Sequence, residues 1–536
     1  MLKRNHRQLF TAILANRLIL YFLLFLAVFS YFLWLNNASV FPDPDSFYHA
    51  KMVALMQASG PVKEFPWLPF TTLNDVYIDH HFLYHLLLAP LVCFFSPLLV
   101  IKLAAVLFAA LAIVLFQWLL DQLKIKYSLV YTLSLLFSDQ FIFRLNLAKA
   151  PSLSLIFIFL TFYFISQNKN KWSWPLFVLS FFYVWLYGGW PIFLGIGLIY
   201  LTVSGVSRWL AYVNSLKLKI TIKNFKLLFN RRIFQLPFSI FCGLLAGLVV
   251  NPYFPRNLSF YWQQTFQIGL LNYKKLVDVG SEWYGLIFFD LIGRNIYMLI
   301  LFFAALVLFF VFIRRQKQFT WLLFFLSLIF CVLTLKSQRN IEYFAPCALL
   351  FSALIFNNML SNLRSPGVFF KELFFKYRPL SITLVFCFLL CLPIVFSYNF
   401  FSLKKALTHG FGFQEISPSA NWLSRNSKND EIIFHDSWAD FPLLFYHNTK
   451  NRYLVGLDPT FMYFKDRQKY LLWRDIVKGK TNSPICRLIL EQFNSPYMLI
   501  RITNKALLAQ FDLDSKCVKV YEDKEVKIYT IEELAN

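Results

Sequence analysis

The side chains able to do chemistry in this chain crowd into its first polar stretches. FPDPDSFYHAKMVAL (41–55) carries Asp43, Asp45, His49 and Lys51, and YIDHHFLYH (77–85) adds Asp79, His80, His81 and His85. Half of the eight histidines therefore fall between residues 49 and 85. Carboxylate oxygens and imidazole nitrogens at that density suit a divalent metal or the handling of phosphate. His85 alone reads as a water-facing residue of an amphipathic helix. A further acid, Glu282, stands in GSEW (280–283), and Arg339 stands in KSQRNIEYFAP (336–346) at the mouth of an apolar run. A guanidinium there can clamp a phosphate through paired N–H groups, or serve as a plain interfacial anchor.

The elements that must hold these residues are set by composition. With 58% hydrophobic and only 15% charged residues, the chain has too little polar surface to cover itself in water. Spans are expected near 18–35, 98–119, 127–142, 152–167, 173–187, 190–206, 235–250, 294–313, 319–335, 342–358 and 380–397, about eleven crossings. The first has no Ala-x-Ala-like cleavage site and reads as retained. The net charge of +24 does not mark a nucleic-acid partner. Its positives sit in short loops, KRNHR (3–7), KLKIK (122–126), NKNK (168–171), the run from Lys217 to Arg232, RRQK (314–317) and KYR (376–378), as cytoplasmic loops do. They also suit anionic lipid head groups. FLYHLLLAPLVCFFSP (82–97) must lie in the interface or re-enter, since crossing would invert every later basic loop. The N-terminus is then cytoplasmic. The segments 36–81, 143–151, 188–189, 251–293, 336–341 and everything after about residue 398 are external.

Polar residues and short alternating runs mark a second unit, 401–536, after a membrane domain, 1–400. EIIFHD, RYLVGLD, YMLIRI and VKVYEDKEVKIYTI read as strands, the last as a hairpin. ALTHGFGFQEISPSANWLSRN and YFKDRQKYLLWRDIVKG read as helices. Six cysteines lie in apolar stretches and behave as small hydrophobes. Cys486 and Cys517 alone lie in the external domain, and spacing leaves open whether they are bonded.

Several short motifs, in order, resemble the catalytic subunits of oligosaccharyltransferases, membrane glycosyltransferases of the GT-C class. They are DSFYH (45–49), YGGWPIF (187–193), GSEW (280–283), Arg339 before a span, SWADFP (437–442) and NRYLVGLDPTF (451–461). The resemblance runs from about residue 41 to 465. It implies a polytopic α-helical membrane protein of about 11–13 transmembrane helices, GT-C-like, with external loops 36–81 and 251–293 and a C-terminal extracytoplasmic α/β domain. It implies a polyprenyl-phosphate- or pyrophosphate-linked glycan as donor, a protein or glycan as acceptor, and a plasma membrane, the bacterial inner membrane, as location. Asp45 then binds metal and engages the acceptor, Glu282 closes over the acceptor, Arg339 holds the donor phosphate, and Trp438 and Asp440 recognise the acceptor.

The chain also departs from that pattern. Where the family carries an acidic pair in its second external loop, this sequence reads RLNLAKAPSL (144–153), with Pro151 and Leu153 in place of acids. A divalent ion, Mg or Mn, then takes Asp45, Glu282, His80 and His81 as ligands, or else the charge is handled by Arg144, Lys149 and Arg339 without metal. Ala439 replaces the second Trp of the acceptor motif, and DRQK (466–469) is a DxxK-like element of common spacing. Three functions stay open: an oligosaccharyltransferase, a metal-independent GT-C transferase modifying a glycan or lipid, and a non-catalytic protein that binds or flips a lipid-linked sugar.

Overall fold

Among the described residues, six helices are long and apolar enough to cross a bilayer: Asn16–Leu35, Pro97–Gln122, Pro191–Trp209, Phe288–Val311, Gln318–Lys336 and Gln338–Ser361. Shorter apolar helices, Pro151–Gln167, Ser173–Leu186 and Phe234–Val249, stand at three more expected spans. The computed structural model describes residues 2–167, 173–216, 231–271, 273–362, 378–481 and 484–535. Outward positions of these helices are greasy: Leu18, Phe22, Val307 and Val332 are all more than half exposed. Inward positions include hydroxyls, and Ser180, Thr334 and Ser352 each donate back to the carbonyl four residues earlier at 2.7 Å. Apolar outside and satisfied polar groups inside is the arrangement that hydrocarbon solvent selects. The protein is a multi-pass membrane protein.

The structure gives detail to three expectations. The span expected at 127–142 is two short helices, Ser128–Leu136 and Asp139–Leu145. They break at Ser138, whose hydroxyl bonds Asn295 while Asp139 faces Arg294 at 3.8 Å. A polar joint replaces a continuous crossing. The segment 82–97 forms a helix, Phe82–Leu88, and a 3-10 turn, Ala89–Cys93, before the long helix begins at Pro97. At 1.5 Å per residue these twelve residues reach roughly 18 Å, too short to cross. Helix Arg378–Thr408 contains the expected last span and runs on past residue 400. It ends at Thr408, just before Gly410, where a Cβ would collide with the carbonyl of Phe41.

That close approach closes a two-residue antiparallel ribbon, β1 (Val40–Phe41) with β2 (Phe411–Gly412). The ribbon ties the loop after the first membrane helix to the start of the C-terminal domain. Lys404 fastens the same corner by donating to the carbonyls of Trp34 and Leu35 at 2.6 and 3.2 Å, capping the first membrane helix. The domain itself is a five-stranded sheet: β3 (Ile432–His435), β4 (Arg452–Tyr453), β5 (Tyr497–Arg501), β6 (Cys517–Glu522) and β7 (Val526–Ile531), in the order β4-β3-β5-β7-β6. β3 pairs parallel with β4 and β5, while β7 pairs antiparallel with β5 and β6. The expected strands are present, RYLVGLD reduced to two residues. YFKDRQKYLLWRDIVKG splits into two helices because Asp466 caps the second, accepting from Lys469 N at 3.0 Å. The DxxK-like element is thus a helix start. Cys486 and Cys517 are bonded, joining helix Ile485–Phe493 to β6.

Candidate functional site

Helix Asp45–Ser59 presents the first acids. Asp43 accepts from Ser46 N and Oγ at 3.3 and 3.1 Å, which fixes the loop at the helix entrance. Phe47 and Tyr48 pack their rings on Tyr446 and Phe445 of helix Phe441–His447. The helix is therefore wedged under the C-terminal domain with Asp45 at its near end. The turn between Asp139–Leu145 and Pro151–Gln167 delivers Lys149, whose Nζ donates to Asp45 Oδ2 at 2.7 Å and lies 3.2 Å from Asp43 Oδ1. The other oxygen of Asp45, Oδ1, is buried and has no hydrogen-bond partner among the described residues.

Glu282 stands in a 3-10 turn, Ser281–Trp283, and is gripped from two sides. Arg144 Nη1 donates to its Oε2 at 2.6 Å, and Arg144 Nε donates to the fully buried Glu342 at 3.0 Å. Arg339 Nη1 lies 3.6 Å from Glu282 Oε1, its Nη2 donates to Tyr187 OH at 3.0 Å, and its guanidinium stacks on Trp283 at 4.4 Å. Burial alone would raise the Glu282 carboxyl, but Arg339, Arg144 and Lys149 hold it well below the usual carboxylate range. Burial raises the Asp45 carboxyl, opposed by Lys149 and aided by Asp43. Lys149 stays charged, since the attraction of Asp43, Asp45 and Glu282 overcomes its own desolvation.

Three cavities meet at these side chains. The first, about 480 Å³, is lined by Asp43, Asp45, Arg144, Lys149, Glu282, Trp438 and Asp458 among others. A second, about 130 Å³, shares Asp45, Arg144, Lys149, Glu282 and Asp458 with it and adds His49, His80, His81, Tyr187 and Arg339. The third, about 380 Å³, shares His80, His81, Tyr187 and Arg339 with the second. It continues along Ile192, Ile199, Leu326, Ile329, Phe330 and Leu333, all on membrane helices.

The expected residues thus converge, with exceptions. Asp45, Glu282, Arg339, His80, His81 and Trp438 all reach these cavities. Asp440 does not. It is 2% exposed and held by Arg501, whose Nε and Nη2 donate to its Oδ1 at 2.9 and 2.6 Å. His85 is fully buried rather than water-facing, because Asp79 supplies a partner. Asp79 Oδ2 lies 2.7 Å from His85 Nδ1, and His85 Nε2 lies 2.8 Å from His49 Nδ1. The rings of His80 and His81 lie tilted against each other with centroids 4.2 Å apart, and burial lowers His80 to about 4. Asp458, Tyr187 and Glu342 were not singled out in the sequence although all three lie in quoted motifs. Asp458 precedes a Pro in the loop before a helix, a common turn pattern that carries no catalytic signal.

The divalent-ion expectation does not fit this donor set. Among the described residues, no three ligand atoms from Asp45, Glu282, His80 and His81 lie within 4.8 Å of one another. The carboxylates are instead paired with fixed cations. The sole such cluster among the described residues, Cys486, Asp514 and Cys517, has its sulfurs spent in the disulfide.

No family model matches the chain, and no curated protein matches it. Solved structures do. The oligosaccharyltransferase of Archaeoglobus fulgidus in its apo form aligns at TM-score 0.60 and 12% identity, over 96% of this chain and 74% of that one. The fold is GT-C-like. The same archaeal protein, AglB, in complex with an inhibitory peptide and a dolichol-phosphate, aligns with the same values. Arabinofuranosyltransferase AftD from Mycobacteria aligns at TM-score 0.48 and 12% identity, over 95% of this chain and 40% of that one. In this GT-C-like frame the ion-paired cluster sits where the membrane helices, the loops 36–81 and 251–293 and the C-terminal domain come together.

Proposed function

We propose that the protein is a glycosyltransferase that moves a sugar or oligosaccharide from a polyprenyl-phosphate or -pyrophosphate carrier to an acceptor on the extracytoplasmic face. The observation that carries this is the run of three adjoining cavities with one charged throat. The third is apolar and opens among membrane helices, as a lipid chain requires, and ends at Arg339, Tyr187 and the His80–His81 pair, as its phosphate requires. The first lies under Trp438 of the C-terminal domain and suits an acceptor, for whose sugar or peptide the indole offers a stacking face.

The throat supports an inverting displacement. The acceptor oxygen or nitrogen attacks the anomeric carbon, and the bond from that carbon to the phosphate oxygen breaks. The leaving phosphate keeps the electron pair, and Arg339 and Tyr187 face the charge that develops on it. The acceptor proton passes to the unpartnered Oδ1 of Asp45, whose Oδ2 is held by Lys149. The acid is positioned before the substrate arrives. Glu282, held ionised between two guanidiniums, sets where those cations point.

The engagement of Asp440 by Arg501 favours an acceptor read without that carboxylate, a glycan or lipid rather than a peptide sequon. The topology of the basic loops supports a cytoplasmic N-terminus and an external site in a plasma membrane, the bacterial inner membrane.

The test is transfer of labelled sugar from polyprenyl-linked donors in proteoliposomes. Asp45→Asn should lose more than about tenfold in rate, a barrier change above ~1.4 kcal/mol, while inserting and folding normally. Retained transfer would remove Asp45 from the proton-accepting role. Donor binding without turnover in the unmodified protein would support the lipid-binding alternative.

A further inference from the structure

We infer that Lys149 is a built-in cation that takes the place of a divalent ion beside Asp43 and Asp45, so that transfer needs no metal and loss of the ammonium creates a metal site. The inference rests on the transferase reading for its activity arm only; its metal-binding arm stands alone. Lys149 here is a positioning residue, since it acts through Asp45.

Several observations converge. The Lys149 ammonium lies between two carboxylates, 2.7 Å from one and 3.2 Å from the other, with its side chain only 13% exposed. Two acids this close and this sheltered cannot both stay ionised without a positive charge among them. A divalent ion or an ammonium meets that need equally well, but not both in the same place. The backbone under Lys149 is fixed, not a free arm. Asn146 Nδ2 donates to Ile142 O at 2.6 Å, Lys149 N donates to Leu147 O at 2.8 Å, and Ser152 Oγ donates to Leu145 O at 3.0 Å. Ala148 and Ala150 on either side are buried, which leaves Lys149 one direction to point.

The same short segment repeats the device. Arg144 bridges Glu282 and Glu342 as Lys149 bridges Asp43 and Asp45. RLNLAKAPSL thus supplies two cations to four carboxylates and contributes no metal-ligating side chain of its own. The histidines do not fill the gap. They lie across the second cavity, and their ring nitrogens are not gathered with the carboxylate oxygens. The ammonium holds Asp45 by a single oxygen, which leaves Oδ1 available to the acceptor.

The experiment uses full-length protein in detergent or nanodiscs, with Mn²⁺ as probe. Electron paramagnetic resonance should show no Mn²⁺ bound at the cluster in the unmodified protein. Lys149→Ala should gain one Mn²⁺ site, and Lys149→Ala combined with Asp43→Asn and Asp45→Asn should lose it again. In the transfer assay the unmodified protein should be indifferent to chelation. Lys149→Ala should fall roughly 10²-fold or more in chelator and recover in part with Mn²⁺. Lys149→Arg should stay metal-independent, a rescue that a merely structural lysine would not separate from Lys149→Met. Should Lys149→Ala fail to fold, Lys149→Asp, which can itself ligate, replaces it in both arms. A chelator-sensitive unmodified protein restored by Mn²⁺, or Mn²⁺ bound there through Asp45, would overturn the inference. So would a Lys149→Ala protein that binds no Mn²⁺. If no lipid-linked donor supports transfer, the proposed function fails while the Mn²⁺ titrations still decide the role of Lys149.

Discussion

Asp458 shows how a single residue can be strained for the sake of a site. It lines both charged cavities, and burial pushes its carboxyl up to about 6 against the opposing hydrogen bond from Thr460 N at 2.8 Å. In the unfolded chain the same group releases its proton near about pH 4. Between those values the folded state binds more protons than the unfolded one, so stability falls as pH rises through that window. The loss is complete above about pH 6. Asp458→Asn keeps an acceptor for Thr460 N and removes the charge. Its melting temperature should exceed that of the unmodified protein at about pH 8 and match it below about pH 4. Equal melting at both would show that the carboxylate is not held at a disadvantage. A stabilised variant with impaired transfer would mark Asp458 as part of the machinery.

Among elements, the junction of β5 with the SWADFP turn decides how two neighbouring motif residues differ. Arg501 on β5 donates to Asp440 through two nitrogens and to Glu415 at 2.7 Å through a third, while its backbone N donates to Asp436 at 3.1 Å. Asp440 is locked into the base of the domain, whereas Trp438, two residues earlier, reaches the first cavity and meets the loop at Gly280. Breaking a buried pair from one side costs about 3–5 kcal/mol, because the remaining charge stays buried. Asp440→Asn should therefore lower the melting temperature of the protein and leave the acceptor KM of the folded fraction unchanged. Trp438→Ala should do the reverse. An acceptor KM that rises for Asp440→Asn with no loss of stability would return that residue to the recognition surface.

For the whole molecule, the governing fact is that one site is assembled from both sides of a domain junction. The ribbon β1–β2, Lys404 at the end of the first membrane helix, and the rings of Phe47 and Tyr48 against Tyr446 and Phe445 make the C-terminal domain a fixed roof. The roof and the cluster beneath it must share one side of the membrane. A reporter active only outside the cytoplasm, fused after Asn536, should be active. Activity from a cytoplasm-only reporter at that position would reverse the topology and place the charged throat on the cytoplasmic face. The Cys486–Cys517 disulfide agrees with an oxidising compartment for this domain.

Much of this was legible in the chain itself. Apolar run length and the placement of basic loops determined a multi-pass helical protein, because hydrocarbon admits few alternatives and the signal is local. Alternation in EIIFHD, YMLIRI and VKVYEDKEVKIYTI determined β3, β5 and the β6–β7 hairpin for the same reason. Motif order brought Asp45, Glu282, Arg339 and Trp438 to one place before any fold was known. What only the tertiary structure decided is which charge answers which. Lys149 meets Asp45 across 104 positions, Arg144 meets Glu282 across 138 and Glu342 across 198, and Arg501 meets Asp440 across 61. Burial demands that each carboxylate find a cation, but sequence spacing does not say which one. That choice is made by how helices and loops pack, and here packing set an ammonium beside Asp45, an acid expected to bind a metal.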